Sequence, residues 1–484
     1  MIARDPAAAA QQEFDLLVIG GGIYGASVLR EAAHRGLSAC LCEAGDFGGG
    51  TSQNSLRILH GGLRYLQTLD LRRFRQSVAA RREVAGRFPT LVRPLDCMMP
   101  LYAKGMKRAA IMRVALGLND ALSAGRNHQL PHPIHLERGK VLDASETRNR
   151  FPLVRAEGLE GAAHWHDYFM VSSERILMET LHDACTQGAI ALNYARVLEL
   201  IEEGGTVRGV QIQDDWDQER HVIRAKVVVN CTGPSVRVLA RGRGGDPDLL
   251  FRPSLAFNLL LNVPLPSPSA LAVAAPRRDA PMLFLIPQGD ATLAGTWHAP
   301  RPLDTVEALP TPVEVETYLE HLRAAIPGFN VTTRNVVRVL AGLLPADAPE
   351  SAALTKREVV KNHGACGGLN GFFSVVGVKY TTASDVARQI LEQVAGPAEA
   401  GAKSTEQGAA LQTVEGTQVL IDADRLWTQD PAEVRETFRQ VRASESVRSL
   451  DDLIFRRTNW ATTVTDLGRL RHRIQELTAE DRPL

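Results

Sequence analysis

The chain has 484 residues, about three times the ~150 residues of a typical domain. Hydrophobic residues make up 44% and charged residues 23%, a balance that excludes disordered and collagen-like classes. Its 55 basic and 55 acidic side chains cancel, so no global charge draws it to nucleic acid, and no nucleic-acid partner is expected.

The six cysteines are scattered with no C-x-x-C pair, against a zinc ribbon or a disulfide framework. They read as reduced thiols of a cytoplasmic protein, and no metal is expected. The opening MIARDPAAAAQQEF lacks the apolar core of a signal peptide and reads as a floppy Ala-rich leader. No apolar run reaches the ~18 residues of a membrane span.

The first structured unit starts with the apolar run Asp15–Ile19, a buried parallel strand. The turn GGGIYG follows, with Gly20, Gly22 and Gly25 in G-x-G-x-x-G spacing. A helix then ends at Gly36, and a second strand ends at Glu43, 18 residues after Gly25. The glycines permit a tight turn and close approach of a pyrophosphate, and the helix N-terminus offers N–H donors. Glu43 is placed to accept from the ribose hydroxyls of an adenosine. With its full strand, turn, helix, strand and acid context, this unit reads as a dinucleotide site.

Further strands are expected at 190–193, 197–201, 207–212 and 226–230, the last running into Cys231-Thr232-Gly233-Pro234. Alternating apolar segments over 251–300 predict antiparallel strands of a second sheet. A helix is expected over 314–325, and strands over 336–340 and 372–376. Residues 401–416 read as a linker and 417–484 as a helical cap, with helices over 431–441, 449–459 and 467–477.

Several blocks together resemble the flavin-dependent glycerol-3-phosphate dehydrogenases, within the wider D-amino-acid-oxidase-like group. They are GTSQNS at 50–55, LHGGLRYL at 59–66, VVNCTGP at 228–234, GVKYTT at 377–382 and SLDDLIFRRT at 449–458. The resemblance implies an α/β fold: a Rossmann-like FAD-binding domain over 14–400 interleaved with an antiparallel substrate sheet (85–165 and 245–345). It implies FAD as cofactor. Thr51, Ser52, Ser55, His60, Gly61, Thr232 and Gly233 are then expected near it, with Gly377, Lys379, Thr381 and Thr382 at the flavin ring. Lys379 would stabilise negative charge on the reduced ring.

A flavin dehydrogenase needs a base beside the ring. His60 is placed there by the resemblance, as base, flavin contact or packing residue. Arg64 can fork onto a carboxylate or phosphate, with Tyr65 beside it. The chain departs from the family's pattern at the substrate. Leu344 stands where an arginine is expected for the phosphate, with Lys356 or Arg357 the nearest replacement. Asn258 stands where a histidine is expected, and His298 is a second candidate base. Oxidation of a C–OH or C–N substrate is therefore expected, with quinone or oxygen as acceptor and glycerol 3-phosphate in doubt. The alternatives are a true glycerol-3-phosphate dehydrogenase, an oxygen-using amine or alcohol oxidase, and a flavin-binding protein without catalysis. Residues 103–122 read as a basic amphipathic helix suited to peripheral contact with the inner face of the membrane. The arginines of 71–82 read as a solvated helix face.

Overall fold

The computed structural model describes residues 1–102, 108–244, 250–277, 279–396, 420 and 422–478. Among them, two sheets form the architecture. The first runs in the order Val359–Asn362, Phe372–Val376, Arg220–Asn230, Glu13–Ile19, Ala39–Cys42, Ile190–Leu192. Its last five strands are parallel, and an antiparallel meander, Ala195–Glu203 and Thr206–Asp214, joins at Arg220–Asn230. The apolar strand runs are explained by burial on both faces. The helices Ile23–His34, Ser173–Thr186 and Ala383–Ala395 cover one side, and the meander covers the other.

The second sheet runs Val336–Pro345, Pro253–Leu261, Ala291–Pro300, Leu283–Gln288, Ala270–Val273, Val92–Tyr102, Leu159–Met170, Ile58–Leu59. Its pairs are antiparallel except Ala270–Val273 with Val92–Tyr102. Two long strands here have no clear signature in the sequence. Val92–Tyr102 carries Pro94 and Pro100, which normally demote a strand. Leu159–Met170 is buried on both faces, so its polar residues blur the two-residue alternation.

Three expectations need correction. The leader is pinned rather than floppy. Ile2 is buried, its N–H donates to the Ser444 carbonyl at 2.8 Å, and Arg4 pairs with Asp214. Arg81 does not lie on a solvated face: it is buried and pairs with Asp167 at 2.6 Å. The helix expected over 449–459 is instead a short turn, Leu450–Asp452, followed by a π-helical turn, Leu453–Arg457. Arg456 and Arg457 both reach Asp46 there. The C-terminal helices pack around Trp460 with Leu426, Phe438 and Ile474. The expected linker, 401–416, lies outside the described residues, as do Lys104 and Lys107. The helix expected over 103–122 is seen over Ala109–Leu122.

Candidate active site

The carboxyl ends of four adjacent parallel strands open into one cavity of about 360 Å³. Gly20 and Gly22 follow the first strand, Glu43 the second, Cys231–Pro234 the third and Gly377–Lys379 the fourth. Ligands of open α/β sheets bind at this edge. The antiparallel sheet closes the other side with Ala256, Asn258, Thr296 and Gly342–Leu344.

The glycine turn works by close approach. Gly20 has φ +102°, and a Cβ there would lie 2.6 Å from the Cys231 carbonyl oxygen. A Cβ on Gly25 would lie 1.9 Å from the Gly20 carbonyl oxygen, so Gly25 sets helix against strand and does not itself line the cavity. Replacing it by alanine is expected to cost about 1–3 kcal/mol in overpacking. If that strain falls on the cofactor-bound form, flavin affinity drops about ten- to hundredfold. Titrating the apoprotein with FAD by fluorescence checks this, and unchanged affinity contradicts it.

Glu43 accepts from Gly21 N at 2.6 Å and from Gly45 N at 2.8 Å, so its carboxylate is fixed with lone pairs to spare. Burial pushes it above the usual carboxylate range despite these donors. Ser52 Oγ accepts from Ile23 N at 3.0 Å at the start of the helix. Thr51 Oγ1 donates to the Leu343 carbonyl at 3.3 Å, and Ser55 Oγ accepts from Arg57 N at the same distance. Thr51, Ser52, Ser55, Thr232 and Gly233 all line the cavity.

Tyr24 is a cavity-lining residue that the motif hides among its variable positions. Its hydroxyl donates to the Lys379 carbonyl at 2.7 Å and accepts from Val378 N and Lys379 N. It therefore clips the GVKYTT segment to the glycine turn. A Cβ on Gly377 would meet its ring at 1.9 Å. Lys379 lines the cavity, and its ammonium group bonds the Tyr65 hydroxyl. Arg64 Nη2 donates to the same hydroxyl at 3.3 Å. Burial alone would raise the Tyr65 phenol, but Lys379 and Arg64 outweigh it and hold it below its ordinary value.

His60, Gly61, Arg64, Tyr65, His298, Lys356, Thr381 and Thr382 stand outside the cavity lining. His60 is about half exposed, with Nδ1 3.6 Å from Asp167 Oδ2. Asp167, which sequence reasoning missed, is buried and also accepts from Gly61 N at 2.7 Å, Arg81 Nη1 at 2.6 Å and Trp165 Nε1 at 3.2 Å. Burial would raise its carboxyl; His60 and Arg81 more than offset this and keep it below the usual range. Gly61 is required because a Cβ would strike the Arg81 guanidinium at 2.2 Å. Thr382 Oγ1 donates to Glu358 at 2.6 Å, which makes it a loop brace.

Asn258 is fully engaged. Its Nδ2 donates to the Asn54 carbonyl at 2.9 Å and its Oδ1 accepts from Thr296 at 2.8 Å. It ties the Ser-rich turn to the second sheet and has no basic lone pair to offer. His298 lies two residues beyond Thr296 on the same strand face, and its Nδ1 is buried without a hydrogen-bond partner. Burial, with the nearby Arg64 charge, lowers its pKa. Leu344 lines the cavity, whereas Lys356 and Arg357 are exposed.

The cavity fits the extended cofactor expected from the sequence: a fixed carboxylate, a helix N-terminus, two further strand ends and a lysine. The family model described as FAD dependent oxidoreductase matches residues 15–383. The chain is 31% identical over 404 residues to the "Probable glycerol-3-phosphate dehydrogenase, mitochondrial" of Caenorhabditis elegans, covering 79% of this chain and 53% of that one. It is 30% identical over 343 residues to the alpha-glycerophosphate oxidase of Lactococcus lactis, covering 69% and 54%. The chain thus spans about half the length of these curated relatives. Its fold matches the solved glycerol-3-phosphate dehydrogenase from Bacillus halodurans complexed with FAD. The TM-score is 0.70 at 21% identity, over 98% of this chain and 92% of that one. With the match running through both sheets, the chain belongs to the FAD dependent oxidoreductase family.

Proposed function

We propose that the chain oxidises a small alcohol or amine at a C–H bond, using FAD held in the cavity. Bound there, FAD supplies the hydride-accepting chemistry, and the protein's task is to orient the substrate and place a base. Gly20, Gly22, Glu43, Ser52, Thr232 and Gly377 are the residues proposed to hold it, with Lys379 offsetting charge at the ring.

The observation that carries this reading is the His60–Asp167 pair. With Nδ1 turned to a buried carboxylate, Nε2 is left to take the proton from the substrate hydroxyl or amine. Asp167 fixes the tautomer and stabilises the imidazolium that forms. Arg64 is proposed to hold the polar end of the substrate, with His298 as the second basic group on that side. The substrate is proposed to be less anionic than a phosphate ester, because a leucine, Leu344, lines the cavity where the resemblance leads one to expect a phosphate-binding arginine. The names of the relatives favour a second reading, glycerol 3-phosphate held by Arg64 alone.

Anaerobic titration separates the two readings. Uncharged polyols, hydroxy acids or amines are expected to bleach the flavin at lower concentration than glycerol 3-phosphate. In Leu344→Arg the affinity for glycerol 3-phosphate should rise about tenfold or more, since a charge-assisted hydrogen bond contributes about 1.5–3 kcal/mol. Tight glycerol 3-phosphate binding by the wild type, unimproved in that variant, supports the second reading.

No helix among the described residues is long and apolar enough to cross a membrane. The helix Ala109–Leu122 exposes Ile111, Val114 and Leu118 on one stripe, with Arg108 and Arg113 exposed nearby. That pattern supports a peripheral contact with anionic lipid, from which a quinone acceptor could be reached; oxygen is the alternative acceptor. Val114→Asp with Ile111→Asp should sharply reduce co-sedimentation with anionic vesicles at unchanged flavin content. Equal sedimentation contradicts the contact.

A further inference from the structure

Three metal-ligating side chains converge on the far face of the antiparallel sheet. Along Leu159–Met170 side chains alternate, so Trp165 and Asp167 share the His60 side while His164 and His166 face the other way. Asp96 is directly opposite His166 across the strand pair, which places it on the same face as the two histidines. One ligand atom from each of the three residues lies within 4.8 Å of the others.

The surroundings favour a cation over a closed hydrogen-bond network. His164 is 5% exposed; its Nε2 meets Asp96 Oδ1, and its Nδ1 has no hydrogen-bond partner. The His166 Nδ1 is also buried and unpartnered. Ser269 Oγ donates to Asp96 Oδ2 at 3.1 Å, which orients the carboxylate with Oδ1 toward His164. Arg150 stands 3.6 Å from Oδ2 and opposes a cation, but it also reaches Glu146 at 3.4 Å and is one-third exposed. It can turn to Glu146 when a metal enters.

We propose that Asp96, His164 and His166 bind a divalent transition-metal cation of the zinc class. Two imidazoles and one carboxylate suit zinc, and the partial exposure of Asp96 leaves a path for a water as fourth ligand. The ion would staple Val92–Tyr102 to Leu159–Met170, the strand whose other face carries Asp167.

The test uses the full chain with its flavin, stripped of metal by a chelator and dialysed. Co²⁺ is added as a spectroscopic probe, and Zn²⁺ is measured by competition with a chromophoric chelator. One equivalent per chain is expected. Asp96→Asn and His166→Gln should each weaken binding by about 100-fold or more, since losing even an outer contact costs about 10–100-fold. Zn²⁺ should raise the melting temperature of the wild type and not of the variants. Asp96→Asn, at a partly exposed position, decides the matter if His166→Gln fails to fold. Absence of stoichiometric binding, or binding that survives Asp96→Asn, overturns the site; the ion would then lie elsewhere, for example at His132 and His135.

Discussion

His60→Asn is expected to slow flavin reduction by about 10²–10⁴-fold, the usual range for removing a positioned base. Flavin content should be unchanged, because His60 does not line the cavity. The position suits the experiment. The ring is about half exposed and packs edge-on to Phe284, so little folding energy depends on it. Asp167 is less clean to test. It holds the buried Arg81 and the Gly61 amide, so Asp167→Asn mixes a catalytic effect with an unpaired buried charge. Rapid mixing under anaerobic conditions measures the rate directly. A loss below about tenfold removes His60 from the role of base and turns attention to His298.

Arg457→Met is expected to destabilise the fold by about 3–5 kcal/mol, the cost of removing one member of a buried ion pair. Arg457 is fully buried and grips Asp46 through two bonds, at 2.6 and 2.9 Å, with Glu445 3.3 Å from its Nε. Asp46 also accepts from Asn193 and Arg456 and lies in the loop that follows Glu43. The network thus joins the C-terminal helices to the Glu43 end of the cavity, and FAD binding should weaken in the same variant. Glu445 adds a pH dependence. Burial alone would raise its carboxyl, but Arg175, with His182 and Arg457, holds it at about 2 against an ordinary 4.5. A group depressed in the folded state stabilises fully above its unfolded value. That stabilisation is lost as pH falls from about 4.5 toward about 2. Denaturant melts of wild type and variant across this range check both statements. Equal midpoints for the two proteins contradict the role given to Arg457.

The side of the cavity formed by the parallel strand ends was legible because each of its parts obeys a local rule. Gly20, Gly22 and Glu43 sit at spacings that a strand–turn–helix–strand unit imposes, and GVKYTT ends a strand as recognisably as it begins a turn. The surroundings of His60 were less legible because they depend on pairing between distant strands. Asp167 lies 107 positions beyond His60, on a strand whose two buried faces erase the alternation that would announce it. Arg81 looked like one more solvated arginine because nothing local reveals that Asp167 stands opposite. Tyr24 occupies a position that the glycine motif leaves free, so only the fold shows that it clips Lys379. Asn258 illustrates the reverse case. An amide is no base near neutral pH, and the three-dimensional setting shows what the side chain does, holding Asn54 to Thr296.

The most direct test of the central claim is the visible spectrum of the purified chain, taken before and after anaerobic addition of the alcohol and amine panel. One FAD per chain and bleaching by at least one panel member is the expected result. A protein that stays colourless and takes up no FAD contradicts the assignment of the cavity. One that holds FAD but is bleached by no alcohol, amine or glycerol 3-phosphate contradicts the proposed oxidation and leaves a flavin-binding protein without catalysis.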